Sequence, residues 1–176
     1  LTPCYNEEGN VEDLYLRVKE VFNQLPNYEY EHLFIDNASH DKTVDILRNI
    51  SQKDSRVKVI VNARNFGPVR SGYYGILQCH GDAVIPIVAD LQDPPELILE
   101  FVQKWEEGYK VVKAVKTPVR EGAFFYFARQ IFYSLMDNLS DIKITRNFTG
   151  FGLYDQKVIN VLREINDPYP YFRGLI

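Results

Sequence analysis

The sequence lacks a basic excess and is poor in the residues that build cross-links. Lys and Arg number 20 against 24 Asp and Glu, a formal net charge of −4. The broad positive field of a nucleic-acid binder is therefore missing, although a local basic patch is not excluded. There are two cysteines, Cys4 and Cys79. They form no metal-ligand spacing and no disulfide framework, so a reducing compartment is the default. No apolar run is long enough to span a bilayer, and no signal peptide is visible. The chain opens at Leu1 in what reads as mid-strand and stops at Gly174-Leu175-Ile176, so a fragment of a longer protein is expected. No repeat, low-complexity tract or linker interrupts it. With 176 residues, 45% of them hydrophobic, the composition suits one cored domain over residues 1–176.

What is present is organised around Ala89-Asp90-Leu91-Gln92-Asp93-Pro94-Pro95-Glu96. An apolar run over residues 83–88 precedes it and reads as a buried strand, with Pro86 suggesting a bulge or an edge. Leu97, Ile98, Phe101, Val102 and Trp105 follow at helical spacing. Two carboxylates and a carboxamide thus stand where a strand ends and a helix begins, the place where open α/β sheets bind ligands. Hard oxygen donors on a turn suit Mg²⁺ or Mn²⁺, which hold phosphates. Asp93 also reads as a helix cap with Pro94 in the first turn; that reading leaves Asp90 and Gln92 unexplained.

The rest of the chain alternates. A strand end at residues 1–5 leads to a turn, to Asn10 as a helix cap and to a helix carrying Val11, Leu14, Val18 and Val21. Strands at residues 33–35, 57–61 and 111–115 are separated by helices through Val44, Leu47 and Ile50 and through Val69, Tyr73, Ile76 and Leu77. Pro68 suits the first position of the latter and Gly81 its stop. Alternation implies a mostly parallel sheet with helices on both faces and right-handed crossovers. A strand order of 3-2-1-4 would bring Tyr5–Glu8, the Asp36 loop and Asp90–Asp93 to one crevice, a crowding of acids that calls for a cation or an amide-rich ligand. Beyond Lys116 the alternation breaks. Residues 117–122 read as a loop, and residues 123–139 as an amphipathic aromatic helix whose apolar face packs on the sheet or on a second subunit, or lies in part at a membrane interface. A strand within residues 142–154 and a last helix capped by Asp155 complete the reading.

Pro3-Cys4-Tyr5-Asn6-Glu7-Glu8, Asp36-Asn37-Ala38-Ser39, Arg64-Asn65-Phe66-Gly67 and the Ala89–Glu96 stretch together resemble the family 2 glycosyltransferases, the polyprenyl-phosphate branch in particular. The resemblance implies a GT-A fold, a UDP- or GDP-sugar donor, Mg²⁺ or Mn²⁺ as cofactor and inversion at the transferred sugar. It implies nucleotide-sugar contacts from Pro3, Tyr5, Glu7, Asp36, Asn65, Gly67, Ala89 and Asp90, with Asp36 accepting from the base. It assigns metal ligation to Asp90 and Gln92, and donor or acceptor phosphates to Lys116 and Arg120. Asp90 and Asp93 are the candidate catalytic carboxylates, Asp93 on placement alone. The acceptor is expected to be polyprenyl phosphate or a saccharide hydroxyl in polysaccharide synthesis. The full-length protein is expected on the cytoplasmic side of a membrane, with a homo-oligomer possible and no nucleic-acid partner.

Three positions depart from the family pattern. Val88 stands where many relatives have the first Asp of Asp-Ala-Asp, Pro68 where Lys or His is frequent, and Gly150 and Gly152 where the branch reads Asp and Arg. A phosphate acceptor is already ionised and needs little base catalysis; a hydroxyl acceptor would need a base. The alternatives are a non-catalytic nucleotide-sugar-binding domain, motivated by Val88, and a sugar-1-phosphate nucleotidyltransferase. The latter would want a glycine-rich phosphate loop after the first strand, which Asn6-Glu7-Glu8-Gly9 is not.

Overall fold

Strands β1 (Thr2–Cys4), β2 (His32–Asp36) and β3 (Val57–Val61) form a parallel sheet in the order β1-β2-β3 in the computed structural model, which describes residues 1–116, 147–165, 167 and 170–176. Every residue of β2 is buried, because helices cover both faces of the sheet. Successive side chains of a strand point to opposite faces. Phe34 accordingly packs with Val11, Leu14 and Val18 of α1 (Val11–Asn23), Leu47 of α2 (Thr43–Lys53) and Phe101 and Val102 of α4 (Ile98–Glu106). Its neighbours Leu33 and Ile35 join Tyr73 and Ile76 of α3 (Pro68–Leu77) and Ile159 and Leu162 of α5 (Gln156–Ile165). Burial of a side chain such as Phe34 contributes roughly 2–3 kcal/mol.

A second sheet has the order β4-β6-β5, with β4 at Ala83–Val84, β5 at Val111–Val115 and β6 at Phe148–Asp155. Both neighbours run antiparallel to β6. The mostly parallel arrangement expected from the alternation includes β6 as its antiparallel strand. β4 and β5 do point the same way, as a strand–helix–strand unit requires, but β6 is inserted between them. The expected strand over residues 83–88 is also shorter. Pairing with β6 stops at Val84, and Pro86 has no N–H to extend it. Residues 85–87 turn instead to β1: the Leu1 nitrogen donates to the Ile85 carbonyl and Ile87 N–H donates to the Leu1 carbonyl, both at 2.9 Å. This parallel pattern joins the sheets and gives the 3-2-1-4 neighbourhood.

Pro68 opens α3 as expected, but the helix ends at Leu77, short of Gly81. Asn10 occupies the cap position of α1 without a side-chain cap bond, since its amide donates to Glu7 Oε2 at 2.7 Å. Asp155 does cap α5, accepting from Lys157 N–H at 3.0 Å. A short helix, α6 (Phe172–Leu175), packs its Phe172 ring against Tyr154. Among the described residues no helix is long and apolar enough to cross a membrane. The expected aromatic helix at 123–139 and Arg120 lie outside the described residues.

Candidate active site

Three loops meet at the carboxyl ends of β1, β2 and the 85–87 segment, and each turns through a non-glycine residue with positive φ: Asn6 at 56°, Ala38 at 64° and Leu91 at 59°. Such conformations persist only where the surroundings hold them. Here the first two loops are laced together. Asn6 N–H donates to Ser39 Oγ at 2.8 Å, and Asn6 Oδ1 accepts from His40 N–H at 2.9 Å. Glu7 N–H donates to Thr43 Oγ1 at 2.8 Å, Glu8 N–H to Asp41 Oδ2 at 3.1 Å, and Lys42 N–H to Glu8 Oε2 at 2.9 Å. The acid crowding is thus relieved within the chain. Burial would raise the Asp41 carboxyl, but bonds from Thr43 and the Glu8 amide hold it below its ordinary value.

Asp90 is left facing outward. It is exposed, and its Oδ1 accepts from Gln92 N–H at 3.1 Å. A cavity of about 310 Å³ brings it together with Pro3, Tyr5, Glu7, Asn65 and Ala89, six of the eight residues assigned to the nucleotide sugar. The other two stand elsewhere. Gly67 precedes α3 with φ 83° and does not line the cavity. Asp36 is 0% exposed, and its carboxylate accepts from Ser39 N–H at 2.9 Å and from Ser39 Oγ at 2.5 Å. Cys4 also lines the cavity. Burial and the neighbouring Asp36 push its thiol well above the usual range, which keeps it neutral and unreactive. Among the described residues no group of three or more His, Cys, Asp and Glu could hold a metal. A single exposed carboxylate still fits Mg²⁺ or Mn²⁺, because such ions are commonly bound by one or two carboxylates plus substrate phosphates. Gln92 is exposed beside Asp90 but does not line this cavity.

A second cavity of about 360 Å³ shares Pro3, Pro68 and Val88 with the first, so the two adjoin across that ridge. Its walls are largely apolar, from Val69, Tyr73, Ile76, Ile87 and Phe151, with Asp93, Thr149 and Arg173 as polar members. The cap reading of Asp93 is corrected here: the 3₁₀ turn Pro95–Leu97 starts after Pro94 and has no side-chain cap bond. Asp93 is buried, pairs with Lys116 Nζ at 3.1 Å and accepts weakly from Thr149 Oγ1 at 3.4 Å. The two family departures in β6 have different physical settings. A Cβ at Gly152 would lie 2.1 Å from the Val112 carbonyl oxygen, so no side chain fits there. Gly150, with φ 106°, meets nothing within 4 Å and leaves the wall of the second cavity without a side chain.

The sequence profile described as Glycosyl transferase family 2 matches residues 1–163. The chain belongs to that family. This family 2 domain is 42% identical over 178 residues to the uncharacterized glycosyltransferase YkcC of Bacillus subtilis, covering 100% of this chain and 54% of the relative. It is 31% identical over 177 residues to the prophage bactoprenol glucosyl transferase homolog of Escherichia coli, covering 100% and 58%. It therefore spans a little over half the length of these curated relatives. Among solved structures, it resembles glucosyl-3-phosphoglycerate synthase from Mycobacterium tuberculosis in complex with Mn²⁺, UDP and phosphoglyceric acid. There the TM-score is 0.58 at 20% identity, with 89% of this chain and 55% of the other covered. The architecture is of the GT-A type. Within the family 2 domain, sequence reasoning gave no role to Asn37 or Ser71, both buried in the cavity wall. Their signal was a polar residue at an inward position of an otherwise apolar strand end or helix face.

Proposed function

We propose that this domain transfers a hexose, with inversion, from a nucleoside-diphosphate sugar to polyprenyl phosphate. One observation carries the reading: a cavity bearing the carboxylates and carboxamides of Glu7, Asn37, Asn65 and the exposed Asp90 adjoins a second one, walled largely by apolar side chains, across Pro3, Pro68 and Val88. The first suits a nucleotide, and the second suits a sugar meeting a lipid-borne phosphate. The bactoprenol glucosyl transferase relative supports the acceptor class, and the Mn²⁺–UDP complex of the structural neighbour supports the donor class.

In this reading Asp90 holds Mg²⁺ or Mn²⁺ together with the donor diphosphate, with Gln92 as the adjacent amide. The ion, when bound, neutralises charge developing on the leaving nucleotide. Tyr5, Glu7, Asn65 and Ala89 line the nucleoside end. Asp36 keeps its loop in shape through Ser39 and, being fully buried, would reach the base only if the loop moved. Lys116 pairs with Asp93, which lines the second cavity, and from there would meet an incoming phosphate. A phosphate acceptor attacks as an anion, so the missing side chain at Gly150 removes no required base.

The full-length protein should be incubated with labelled UDP-glucose, UDP-GlcNAc or GDP-mannose and a short polyprenyl phosphate, with Mn²⁺ or with excess chelator. Metal-dependent label on the lipid phosphate is expected. Val88, exposed where relatives carry an acid, favours the non-catalytic reading; binding of a nucleotide sugar with no transfer or hydrolysis would establish that instead.

A further inference from the structure

A chain of carboxamides crosses the wall of the nucleotide cavity, and its direction can be read from the backbone. Phe66 N–H donates to the Asn37 side chain at 2.9 Å, and Gly67 N–H donates to that of Asn65 at 2.8 Å. A backbone N–H can only donate, so both receiving atoms are carbonyl oxygens, Asn37 Oδ1 and Asn65 Oδ1, whatever the usual ambiguity of amide orientation. The remaining bonds follow in one sense. Asn62 Nδ2 donates to Asn37 Oδ1 at 3.2 Å and to Ser71 Oγ at 3.0 Å, and Asn37 Nδ2 donates to Asn65 Oδ1 at 2.8 Å. Asn65 Oδ1 is then filled by two donors, and no hydrogen bond of the described residues uses its Nδ2. Asn65 is exposed and lines the cavity, whereas Asn37 is 4% exposed.

We propose that Asn62 and Asn37 are positioning residues that lock Asn65 as a donor-only contact, its two N–H groups meeting a hydrogen-bond-accepting edge of the bound nucleoside diphosphate. The inference rests on the nucleotide-sugar reading of this cavity. It adds the polarity of one contact and a role for two residues that otherwise have none. The accepting atoms are either phosphate oxygens or the carbonyl and hydroxyl oxygens of the nucleoside. Turning Asn65 outward would cost the bonds from both Gly67 N–H and Asn37 Nδ2, so the wall cannot adapt by an amide flip.

Calorimetry of the full-length protein with UDP, GDP, uridine and guanosine in Mg²⁺ tests it. Asn65→Ala should weaken binding of the preferred diphosphate by about tenfold, and Asn65→Asp at least as much; the aspartate keeps the acceptor for Gly67 N–H and Asn37 Nδ2 and so leaves thermal unfolding unchanged, whereas the alanine lowers it. Asn37→Ala should weaken binding similarly in the wild-type background and add nothing in the Asn65→Ala background, a non-additivity that a merely structural role would not produce. Asn37→Ser serves in its place if the alanine variant does not fold. A loss retained with the free nucleoside places the contact on base or ribose, and a loss confined to the diphosphate places it on phosphate. Wild-type affinity in Asn65→Ala, or additive losses in the double variant, would overturn the inference while leaving the nucleotide reading intact. Failure of the wild-type protein to bind either diphosphate would overturn both.

Discussion

Asp90 and Asp93 lie on one turn, yet their surroundings differ in kind. Asp90 is exposed and, among the described residues, bonded only to a neighbouring amide, so its charge is available to a ligand. Asp93 is buried against Lys116, a residue distant in sequence whose position no local pattern predicts. Asp90→Ala is expected to abolish sugar transfer while changing the free energy of unfolding by no more than about 0.5 kcal/mol, since no buried partner is lost. Urea denaturation beside a transfer assay checks this, and a fully active variant would remove Asp90 from the chemistry. The Asp-Leu-Gln-Asp-Pro-Pro spacing made the turn legible. It could not separate a carboxylate that faces ligand from one that anchors a lysine, because that depends on where β5 ends.

At the scale of elements, Asp155 ties three of them together. Its carboxylate caps α5 and accepts from Trp105 Nε1 of α4 at 2.8 Å and from Lys110 Nζ, just before β5, at 2.9 Å. Burial alone would raise this carboxyl, but the bonds from Lys110, Trp105 and Lys157 outweigh it and hold it at about 2, against an ordinary 3.8. The native state therefore binds this proton less tightly than the unfolded chain does. The resulting stabilisation, about 1 kcal/mol once screening at the exposed lysine head is allowed for, is complete above roughly pH 4 and fades as the pH falls toward 2. Urea midpoints of wild type and Asp155→Asn should differ at pH 6 and converge on acidification; a gap independent of pH would remove the charge from the explanation. The cap was legible from Asp155 preceding the helical repeat, but Trp105 and Lys110 as its partners were not. β6 offers a second case. Gly152→Ala should cost about 2–3 kcal/mol, because the new methyl must displace the β5 backbone. Equilibrium unfolding would measure it, and an unperturbed variant would show that the two strands separate freely. The strand within residues 142–154 was legible, but the insertion of β6 between β4 and β5 was not, because antiparallel pairing with two strands distant in sequence leaves no local signal.

For the whole molecule, strand–helix alternation up to Lys116 was legible because each strand is an apolar run bounded by turn residues and each helix carries one apolar stripe. The 3-2-1-4 neighbourhood was one order that this alternation allows, and it is the one that brings three loops to one end of the sheet. What could not be read was how those loops hold each other, since the bonds between residues 5–10 and 37–43 join side chains to backbone across a long separation in sequence. That lacing has a consequence for the entropy of binding. A wall of free loops would lose conformational freedom whenever a nucleotide arrived, at roughly 1–2 kcal/mol per residue ordered, whereas a wall already cross-bonded loses little. Backbone amides of Asn6, Glu7, Glu8 and His40 should therefore exchange with deuterium slowly in the ligand-free protein and gain little protection when UDP or GDP is added. Fast exchange that the nucleotide arrests would show instead that the ligand orders the loops. If the loops are rigid beforehand, selection among nucleotides is by fit rather than by folding around the ligand, and the ligand's affinity is spent on recognition alone.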